Sequence, residues 1–377
     1  MSLRVAVVGS GGREHALRHV LSRTATVVSP DDDADLYVVG PEAPLVDGLA
    51  DRLRAEGKLV FGSGADGARL EGSKGWMKEV LAAADVPTAR FAAVDSAADA
   101  AAFLRTLPGP YVVKTDYLAA GKGVLVTDDL DEALADATAK LAQGHVVIEE
   151  GMAGPELSVL AVCNGKDFVL LPPARDHKRV GDGDTGPNTG GMGAFSPVPD
   201  AECLDVSDIV RATLDELLRR GIDYRGVLYA GLMLTSDGPK VLEYNVRFGD
   251  PEAQVVLPRF TSDLAELLLA AAAGDPLPQP TFADDAAVTV VLAAEGYPGT
   301  VRRGDPITGI EAAESVPGVT VFRAAVDEQG RTAGGRVLAV TALAPTLAEA
   351  RSRAYEGVAH ISWPGMHYRK DICAQWL

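Results

Sequence analysis

The pattern of apolar and polar positions predicts an α/β chain that begins with a small parallel unit. Leu3–Val8 is an almost continuous apolar run, which is typical of a strand buried on both faces. Residues 13–22 have helical spacing, and further elements follow in the order β-α-β-β-α-β. They are strands at 26–29, 36–39 and 58–61 and a helix at 45–56. The connection 30–35 is too short for the helix that a complete doubly wound unit has at this point.

The rest of the chain predicts a long α/β middle part and a strand-rich end. Asn164-Gly165 and Ser236-Asp237-Gly238 lie between apolar runs and predict β-hairpins. Residues 181–193 are rich in glycine and predict a long loop, and the prolines of 275–280 predict a linker. We therefore expect an N-terminal domain at 1–70, a middle domain at 71–275 with a small lobe at about 111–172, and a C-terminal domain at 281–377.

Charge and composition limit the classes of partner. The chain has 53 acidic and 35 basic residues and a formal net charge of −18, which argues against nucleic acid and anionic membranes as partners. Apolar stretches such as Leu267–Ala273 are too short to span a membrane. The three cysteines are too far apart for a disulfide scaffold or a cysteine zinc site. We expect a cytoplasmic monomer that binds small molecules through local positive groups.

Two glycine-rich turns are candidate anion sites. Gly9, Gly11 and Gly12 precede a helix whose first N–H groups can bind an anion, and Arg13 adds a positive charge. This turn is not a dinucleotide fingerprint, because Glu14 stands at the last glycine position. A tight turn without a ligand is the alternative.

The second turn follows a predicted strand that ends at Lys114. A flexible loop of Gly121, Lys122 and Gly123 can cover phosphates. It is not a Walker A motif, because Gly123 occupies the Ser/Thr position. An ordinary hairpin with solvated lysines is the alternative.

Two further segments carry candidate ligand contacts. Glu149 and Glu150 end a strand that can present backbone groups to a base edge, and Glu156 can hold ribose hydroxyls; a solvated strand end is the alternative. The charged residues 176–179 lead into the glycine-rich loop, which has little reason to be ordered unless it binds something. A disordered surface loop is the alternative there.

The segment 241–252 carries the most specific pattern. Glu243 and Asn245 alternate on a predicted strand, so both side chains point to the same face. A carboxylate and an amide oxygen at this spacing suit Mg²⁺ and leave room for phosphate and water. Arg247 follows on the same face and can approach a phosphoryl group with two N–H donors. A polar cross-strand ladder does not explain why acid, amide and guanidinium share one face.

Together these segments resemble the phosphoribosylamine–glycine ligases, also called glycinamide ribonucleotide synthetases, of the ATP-grasp superfamily. The resemblance covers essentially the whole chain in collinear order. The segments that carry it are VGSGGREHAL at 8–17, VGPEAPLV at 39–46, LEGSK at 70–74, LAAGKGV at 118–124, DHKRVGDGDTGPNTGGMG at 176–193, YAGLM at 229–233, EYNVRFGDPE at 243–252 and GGRVL at 334–338.

The resemblance implies an ATP-grasp fold with a shortened Rossmann-like α/β domain before it and a strand-rich domain after it. It implies that ATP drives the joining of glycine to 5-phosphoribosylamine through glycyl phosphate, with Mg²⁺ or Mn²⁺. The implied catalytic residues are Lys178, Arg247 and Asp250, and the implied metal ligands are Glu243 and Asn245. The implied ATP contacts are Lys114, Gly121, Lys122, Gly123, Glu149, Glu150 and Glu156. The implied substrate contacts are Gly9, Gly11, Gly12, Arg13, Pro41, Glu42, Asp176, Asn188, Gly190, Gly191 and Met192.

The chain departs from the family pattern at a few points. Residues 29–35 stand where the family has a second glycine-rich turn, a helix and a strand, and Tyr117 stands where glycine is common. Two rival functions follow from the residues. One is another ATP-grasp enzyme, either a carboxylate–amine ligase or a biotin-dependent carboxylase subunit. The other is a nucleotide-binding protein without catalytic activity.

Overall fold

The computed structural model describes residues 2–117, 123–201 and 204–377. In these residues, four sheets of four or five strands and one two-stranded hairpin form a mixed α/β protein, which agrees with the expected fold class. None of the helices in these ranges has the length and apolar character needed to cross a membrane.

The N-terminal unit has a parallel sheet with the strand order β2-β1-β3-β4. Its elements are β1 (Arg4–Val8), α1 (Gly12–Leu21), β2 (Thr26–Val28), β3 (Leu36–Val39), α2 (Glu42–Val46), α3 (Leu49–Ala55), β4 (Val60–Phe61) and α4 (Ala65–Gly72). The single helix predicted at 45–56 is wrong. Gly48 has a φ of 76°, a left-handed conformation that glycine adopts without strain, and it separates α2 from α3.

The next elements form a lobe around an antiparallel sheet with the order β5-β8-β6-β7. They are α5 (Lys74–Ala83), β5 (Phe91–Val94), α6 (Ala97–Leu104), β6 (Tyr111–Thr115), β7 (Val124–Thr127), α7 (Leu130–Leu141) and β8 (Val146–Glu150). Ser73 and Ser96 cap α5 and α6, accepting from the backbone N–H groups of Trp76 and Asp99. Buried residues between 94 and 148 form a separate core for this lobe.

A second antiparallel sheet has the order β10-β9-β15-β16 and contains both predicted hairpins. The elements of this part are β9 (Glu156–Asn164), β10 (Phe168–Leu170), β11 (Arg175–Asp176), β12 (Arg179–Gly181), β13 (Thr185–Asn188), β14 (Gly193–Ser196), α8 (Ser207–Arg219), β15 (Arg225–Thr235), β16 (Gly238–Asn245), α9 (Ala253–Val256) and α10 (Leu264–Ala273).

The long loop predicted at 181–193 is only partly right, because 181, 185–188 and 193 belong to strands. β12 and β13 pair as a hairpin, and Gly193 begins the buried strand β14. A Cβ at Gly193 would lie 2.6 Å from the Thr289 carbonyl oxygen, so glycine here allows a close strand approach. The high glycine content therefore led to a loop prediction where β13 and the start of β14 are strands.

The C-terminal part adds β17 (Ala286–Ala293), α11 (Ile310–Glu314), β18 (Val319–Arg323), β19 (Arg336–Ala344) and α12 (Leu347–His360). The sheet has the order β11-β14-β17-β19-β18, so two strands from the middle of the chain pair into it. The glycine-rich segment is thereby anchored to the C-terminal sheet. The domain limits given above stay predictions.

Candidate active site

The end of β16 carries a row of polar side chains. Asn245 Nδ2 lies 3.4 Å from Glu243 Oε1, and Arg247 Nη2 donates to Asn245 Oδ1 at 3.0 Å. β16 pairs with β15, which places this row against a buried sheet. The structure therefore brings together the three side chains that the two-residue period placed on one face.

Arg247 is held between two carboxylates from the N-terminal unit. Its guanidinium lies 3.0 Å from Glu71 Oε1 and 3.3 Å from Glu42 Oε2. Glu71 Oε2 also accepts the Val246 N–H at 2.8 Å. Burial would lower the pKa of Arg247, but these carboxylates raise it well above its ordinary value. Arg247 thus ties α2 and α4 to the end of β16.

Lys178 lies in a cluster of carboxylates. Its Nζ is 2.9 Å from Asp176 Oδ2 and 3.6 Å from Glu156 Oε2. Burial would lower the pKa of Lys178, but Asp176 and Glu156 help to raise it well above its usual value. Burial raises the pKa of Glu156, and the negative charges of Asp176 and Glu243 raise it further. The positive charge of Lys178 lowers this pKa but does not cancel the rise. Lys178 is therefore a fixed positive charge in this site.

The Glu243 carboxyl is close enough to Lys178 and Lys114 to be affected by their positive charges. Burial would raise the pKa of this carboxyl, but Lys178 and Lys114 overcome that effect and lower it. Glu243 is thus ionised at neutral pH, as a cation ligand must be.

Lys114 on β6 faces Glu149 on β8. The Lys114 Nζ lies 2.8 Å from Glu149 Oε1, and Lys78 Nζ lies 3.1 Å from Glu149 Oε2. Burial would raise the pKa of Glu149, but the two lysines lower it. Glu150 Oε1 points elsewhere and accepts the Arg90 N–H at 3.0 Å. The carbonyl of Gly123 accepts the Thr115 N–H at 3.0 Å. Gly121 and Lys122 lie outside the described residues.

The N-terminal glycine turn closes around Glu14. Glu14 Oε2 accepts the Gly11 N–H at 2.6 Å, and Glu14 Oε1 accepts from Arg13 Nε at 2.7 Å. Gly9 has a φ of 103°, which favours glycine at this position. The turn therefore has one of its donors already satisfied by its own helix.

Pro41 and Glu42 pack beside this turn. A Cβ at Gly9 would lie 2.9 Å from Pro41 Cδ. Arg13 Nη1 donates to the Phe248 carbonyl at 3.0 Å, and its Nη2 is 4.0 Å from Glu42 Oε2. The turn, Glu42 and the segment after β16 thus meet in one place.

Asp250 links the glycine-rich segment to the C-terminal sheet. Arg336 Nη1 donates to the carbonyls of Gly190 and Asp250, and its Nη2 lies 3.4 Å from Asp250 Oδ2. A Cβ at Gly11 would lie 3.8 Å from the same carboxylate. A Cβ at Gly191 would press on the ring of Pro251. Gly190 therefore lies against Arg336, and Gly191 lies against Pro251, the residue after Asp250.

Asn188 and Met192 are the other two predicted substrate contacts of the glycine-rich segment, and their surroundings differ from those of Gly190 and Gly191. Met192 is fully buried, and its N–H donates to the His177 carbonyl at 2.8 Å. Asn188 is half-buried and pairs with Arg179 in the β12–β13 hairpin. The Met192 side chain belongs to the core, and its carbonyl accepts the Val291 N–H at 3.0 Å, so both of its backbone groups are bonded within the protein.

Sequence reasoning missed four residues that the structure adds to the site: Glu71, Lys74, Lys78 and Arg336. Glu71 and Lys74 stand in LEGSK and Arg336 stands in GGRVL, so the shared segments were an available signal. Lys78 lies one helical turn after Lys74 on α5, and its apolar neighbours give no sign of its partner.

The donors at the end of β16 fit a divalent cation that shares its shell with a ligand. Among the described residues, no three His, Cys, Asp or Glu side chains are grouped to hold a metal ion unaided. Glu243 and Asn245 offer two oxygen donors, and Asn245 Oδ1 keeps a second lone pair beside the one that accepts from Arg247. Hard divalent cations take their remaining ligands from phosphate oxygens and water.

Solved structures show where this fold recurs. A crystal structure of phosphoribosylamine–glycine ligase from Thermotoga maritima is 35% identical with a TM-score of 0.84, and the match covers 98% of this chain and 100% of that one. A biotin carboxylase domain from Hydrogenobacter thermophilus is 15% identical with a TM-score of 0.74, over 98% of this chain and 92% of that one. This second match shows the fold alone.

Curated relatives match nearly the whole chain, and three family models match most of it. Phosphoribosylamine–glycine ligases from Streptomyces coelicolor and Mycobacterium leprae are 47% and 44% identical, covering 99% and 98% of this chain and 99% and 97% of theirs. Models of the phosphoribosylglycinamide synthetase N domain, ATP-grasp (A) domain and C domain match residues 26–71, 72–253 and 287–375. The chain therefore belongs to the phosphoribosylglycinamide synthetase family.

Proposed function

We propose that this chain is an ATP-dependent ligase that joins glycine to 5-phosphoribosylamine and yields glycinamide ribonucleotide, ADP and phosphate, a step of de novo purine biosynthesis. The observation that carries the proposal is the identity of 42–47%, over 98–99% of the chain, to proteins named phosphoribosylamine–glycine ligase. The polar row at the end of β16 beside Lys178 suits a reaction of phosphates and carboxylates.

ATP binds between the lobe and β16 in this proposal. Lys114 contacts the phosphates, together with the loop that contains Gly121, Lys122 and Gly123. Glu149 and Glu150 contact the base through the backbone of their strand end, and Glu156 contacts the ribose through its carboxylate. Glu243 and Asn245 would hold a divalent cation, Mg²⁺ or Mn²⁺. When bound, this cation neutralises charge on the phosphates and orients them.

The reaction has two transfers. A glycine carboxylate oxygen attacks the γ-phosphorus, the bond to the β-phosphate oxygen breaks, and ADP leaves. The amine of phosphoribosylamine then attacks the carbonyl carbon of glycyl phosphate, loses a proton and displaces phosphate. Lys178 and Arg247 supply fixed positive charge where negative charge develops, and Asp250 positions the segment that meets the substrates.

The phosphoribosylamine side lies at the N-terminal turn. Gly9, Gly12 and Arg13 supply donors, Gly11 forms the turn with its own N–H bonded to Glu14, and Pro41-Glu42 lies beside them. The glycine side lies at Asp176 and at the segment of Asn188, Gly190, Gly191 and Met192. The contact of Asp250 with both Arg336 and the region of Gly11 supports a shared pocket.

The test is product formation by the purified protein with ATP, Mg²⁺, glycine and freshly generated phosphoribosylamine. We expect glycinamide ribonucleotide by mass spectrometry, with one ADP for each product and none when glycine is omitted. Parallel Mn²⁺ titrations and size-exclusion chromatography test the metal preference and the expected monomer. ADP release with bicarbonate alone would indicate a carboxylase, and ATP binding without ADP release a catalytically silent protein; either result overturns the proposal.

A further inference from the structure

Lys78 is a buried lysine beside the nucleotide site to which the proposed reaction gives no role. Its side chain is 0% exposed. Its Nζ lies 3.1 Å from Glu149 Oε2, donates to Thr88 Oγ1 at 2.6 Å and lies 5.6 Å from the centre of the Phe91 ring. A buried ammonium is unfavourable unless it is well paired, so its presence requires a reason.

Two lysines share one carboxylate at this point. Glu149 neutralises one ammonium group, so the trio of Lys78, Lys114 and Glu149 has a surplus positive charge. Burial lowers the pKa of Lys78 to about 8 in spite of Glu149. The side chain of Lys114 is 10% exposed and that of Lys78 is not exposed at all. Lys114 is therefore the lysine that can turn to a phosphate, and Lys78 is the one that stays.

A second contact of Lys78 leads to the strand of the candidate metal ligands. Thr88 Oγ1 accepts from Lys78 and donates to the Val241 carbonyl at 2.6 Å. Val241 lies on β16, two residues before Glu243, and its N–H donates to the Pro87 carbonyl at 2.8 Å. Lys78 thus connects β8, which carries Glu149, with β16.

We propose that Lys78 is a positioning residue that holds the Glu149 carboxylate in place when Lys114 leaves it for the phosphates of bound ATP. The inference rests on the ATP-binding part of the proposed function. Without Lys78, a Lys114 that turned to ATP would leave a buried carboxylate unpaired, which is strongly unfavourable. Glu149 would then compete with ATP for Lys114.

The test is a double-mutant cycle of Lys78→Met and Glu149→Gln, with the dissociation constant for MgATP measured by calorimetry. We expect Lys78→Met to weaken ATP binding at least about tenfold. The double variant should bind ATP more tightly than Lys78→Met, because a neutral residue 149 no longer retains Lys114. Equal affinity of wild type and Lys78→Met, or additive losses in the cycle, would overturn the proposal.

Lys140→Met is the control, because it removes a half-buried, carboxylate-paired lysine from the same lobe. Lys140 pairs with Asp136 and donates to the Val113 carbonyl at 3.1 Å. We expect its ATP affinity to stay within about twofold of wild type, a change of less than 1 kcal/mol. If Lys78→Met does not fold, Glu149→Gln is compared with the double variant. We then expect Glu149→Gln and the double variant to bind MgATP with equal affinity. A tenfold weaker affinity of the double variant would contradict the positioning role of Lys78.

The binding assay separates this inference from the proposed reaction, because it contains neither glycine nor phosphoribosylamine. A wild-type protein that binds ATP but forms no glycinamide ribonucleotide would overturn the ligase assignment. The double-mutant cycle would still test the role of Lys78, because it measures ATP binding alone. A wild-type protein that binds no ATP would overturn both.

Discussion

The end of β16 and the N-terminal glycine turn both carry predicted substrate contacts, but they do so by different means. On β16 the contacts are side chains, and Glu243, Asn245 and Arg247 lie in a continuous row. In the turn the contacts are mainly backbone N–H groups, and Glu14 already accepts the one from Gly11 at 2.6 Å.

The difference teaches which chemistry can be inferred from a local pattern. The two-residue period of a strand decides which side chains share a face, wherever the strand packs. A backbone donor at a helix start is available only if no neighbouring side chain reaches it. Here Glu14 reaches it from the first turn of α1.

The largest expected effect tests the side-chain row. Glu243→Ala removes the only carboxylate of the two proposed cation ligands, and we expect turnover to fall by about 1000-fold because charge on the phosphates is no longer neutralised. The fold should persist, since within the described part of the chain the Glu243 carboxylate bonds to Asn245 and to no backbone group. ADP formation at increasing Mg²⁺ and a thermal melt measure the two outcomes.

Lys240→Met is the control for that variant, because it removes a charge from the opposite, half-buried end of the same strand, where Lys240 pairs with Asp237 at 3.5 Å. It should leave turnover unchanged. Near-normal turnover in Glu243→Ala would show that Glu243 is not a metal ligand. The side-chain row would then be no better a guide to the site than the glycine turn.

A smaller effect is expected in the glycine turn. A Cβ at Gly40 would overlap Glu14 Oε1 and lie 2.5 Å from Glu14 Cγ, so Gly40→Ala displaces this carboxylate from Gly11 and Arg13. We expect the KM for phosphoribosylamine to rise about tenfold, which is about 1.4 kcal/mol, while the KM for ATP stays constant.

Glu14→Gln is the conservative comparison, because its amide oxygen can still accept the Gly11 N–H. Its KM for phosphoribosylamine should change less than that of Gly40→Ala. An unchanged KM in both variants would mean that the turn is only a tight connection without a ligand, the alternative left open by the sequence.

The same distinction accounts for what the sequence predicts and what it misses. Both hairpins and the succession of elements in the N-terminal unit follow from short-range spacing and turn residues. The structure confirms the hairpins and the four strands of the unit, but α2 and α3 replace the single helix predicted at 45–56. Glu71 and Arg336 were missed because their partners are distant in sequence. Glu71 contacts Arg247, 176 residues away, and Arg336 contacts Gly190, 146 residues away. Such contacts exist only after folding.

Alternation also divides the segment that leads into the glycine-rich part. Asp176 and Lys178 contact each other at 2.9 Å in the candidate site, whereas Arg175 and His177 both pack on Trp376. His177 Nε2 accepts the Cys373 N–H at 3.1 Å, so this nitrogen carries no proton and the imidazole is neutral. His177 is therefore a core residue in spite of its neighbours.

The smallest expected effect follows from this placement. Burial and the nearby Arg369 lower the pKa of His177 to about 4, so between pH 4 and 6.5 the unfolded chain binds a proton that the folded chain does not. The free energy of unfolding should consequently fall by about 1 kcal/mol from this residue between pH 7 and 5.5. His177→Gln keeps an acceptor but does not titrate, and urea unfolding at both pH values should show a correspondingly flatter dependence. An identical pH dependence in wild type and variant would mean that His177 faces solvent, and the alternation inferred for this segment would then be wrong.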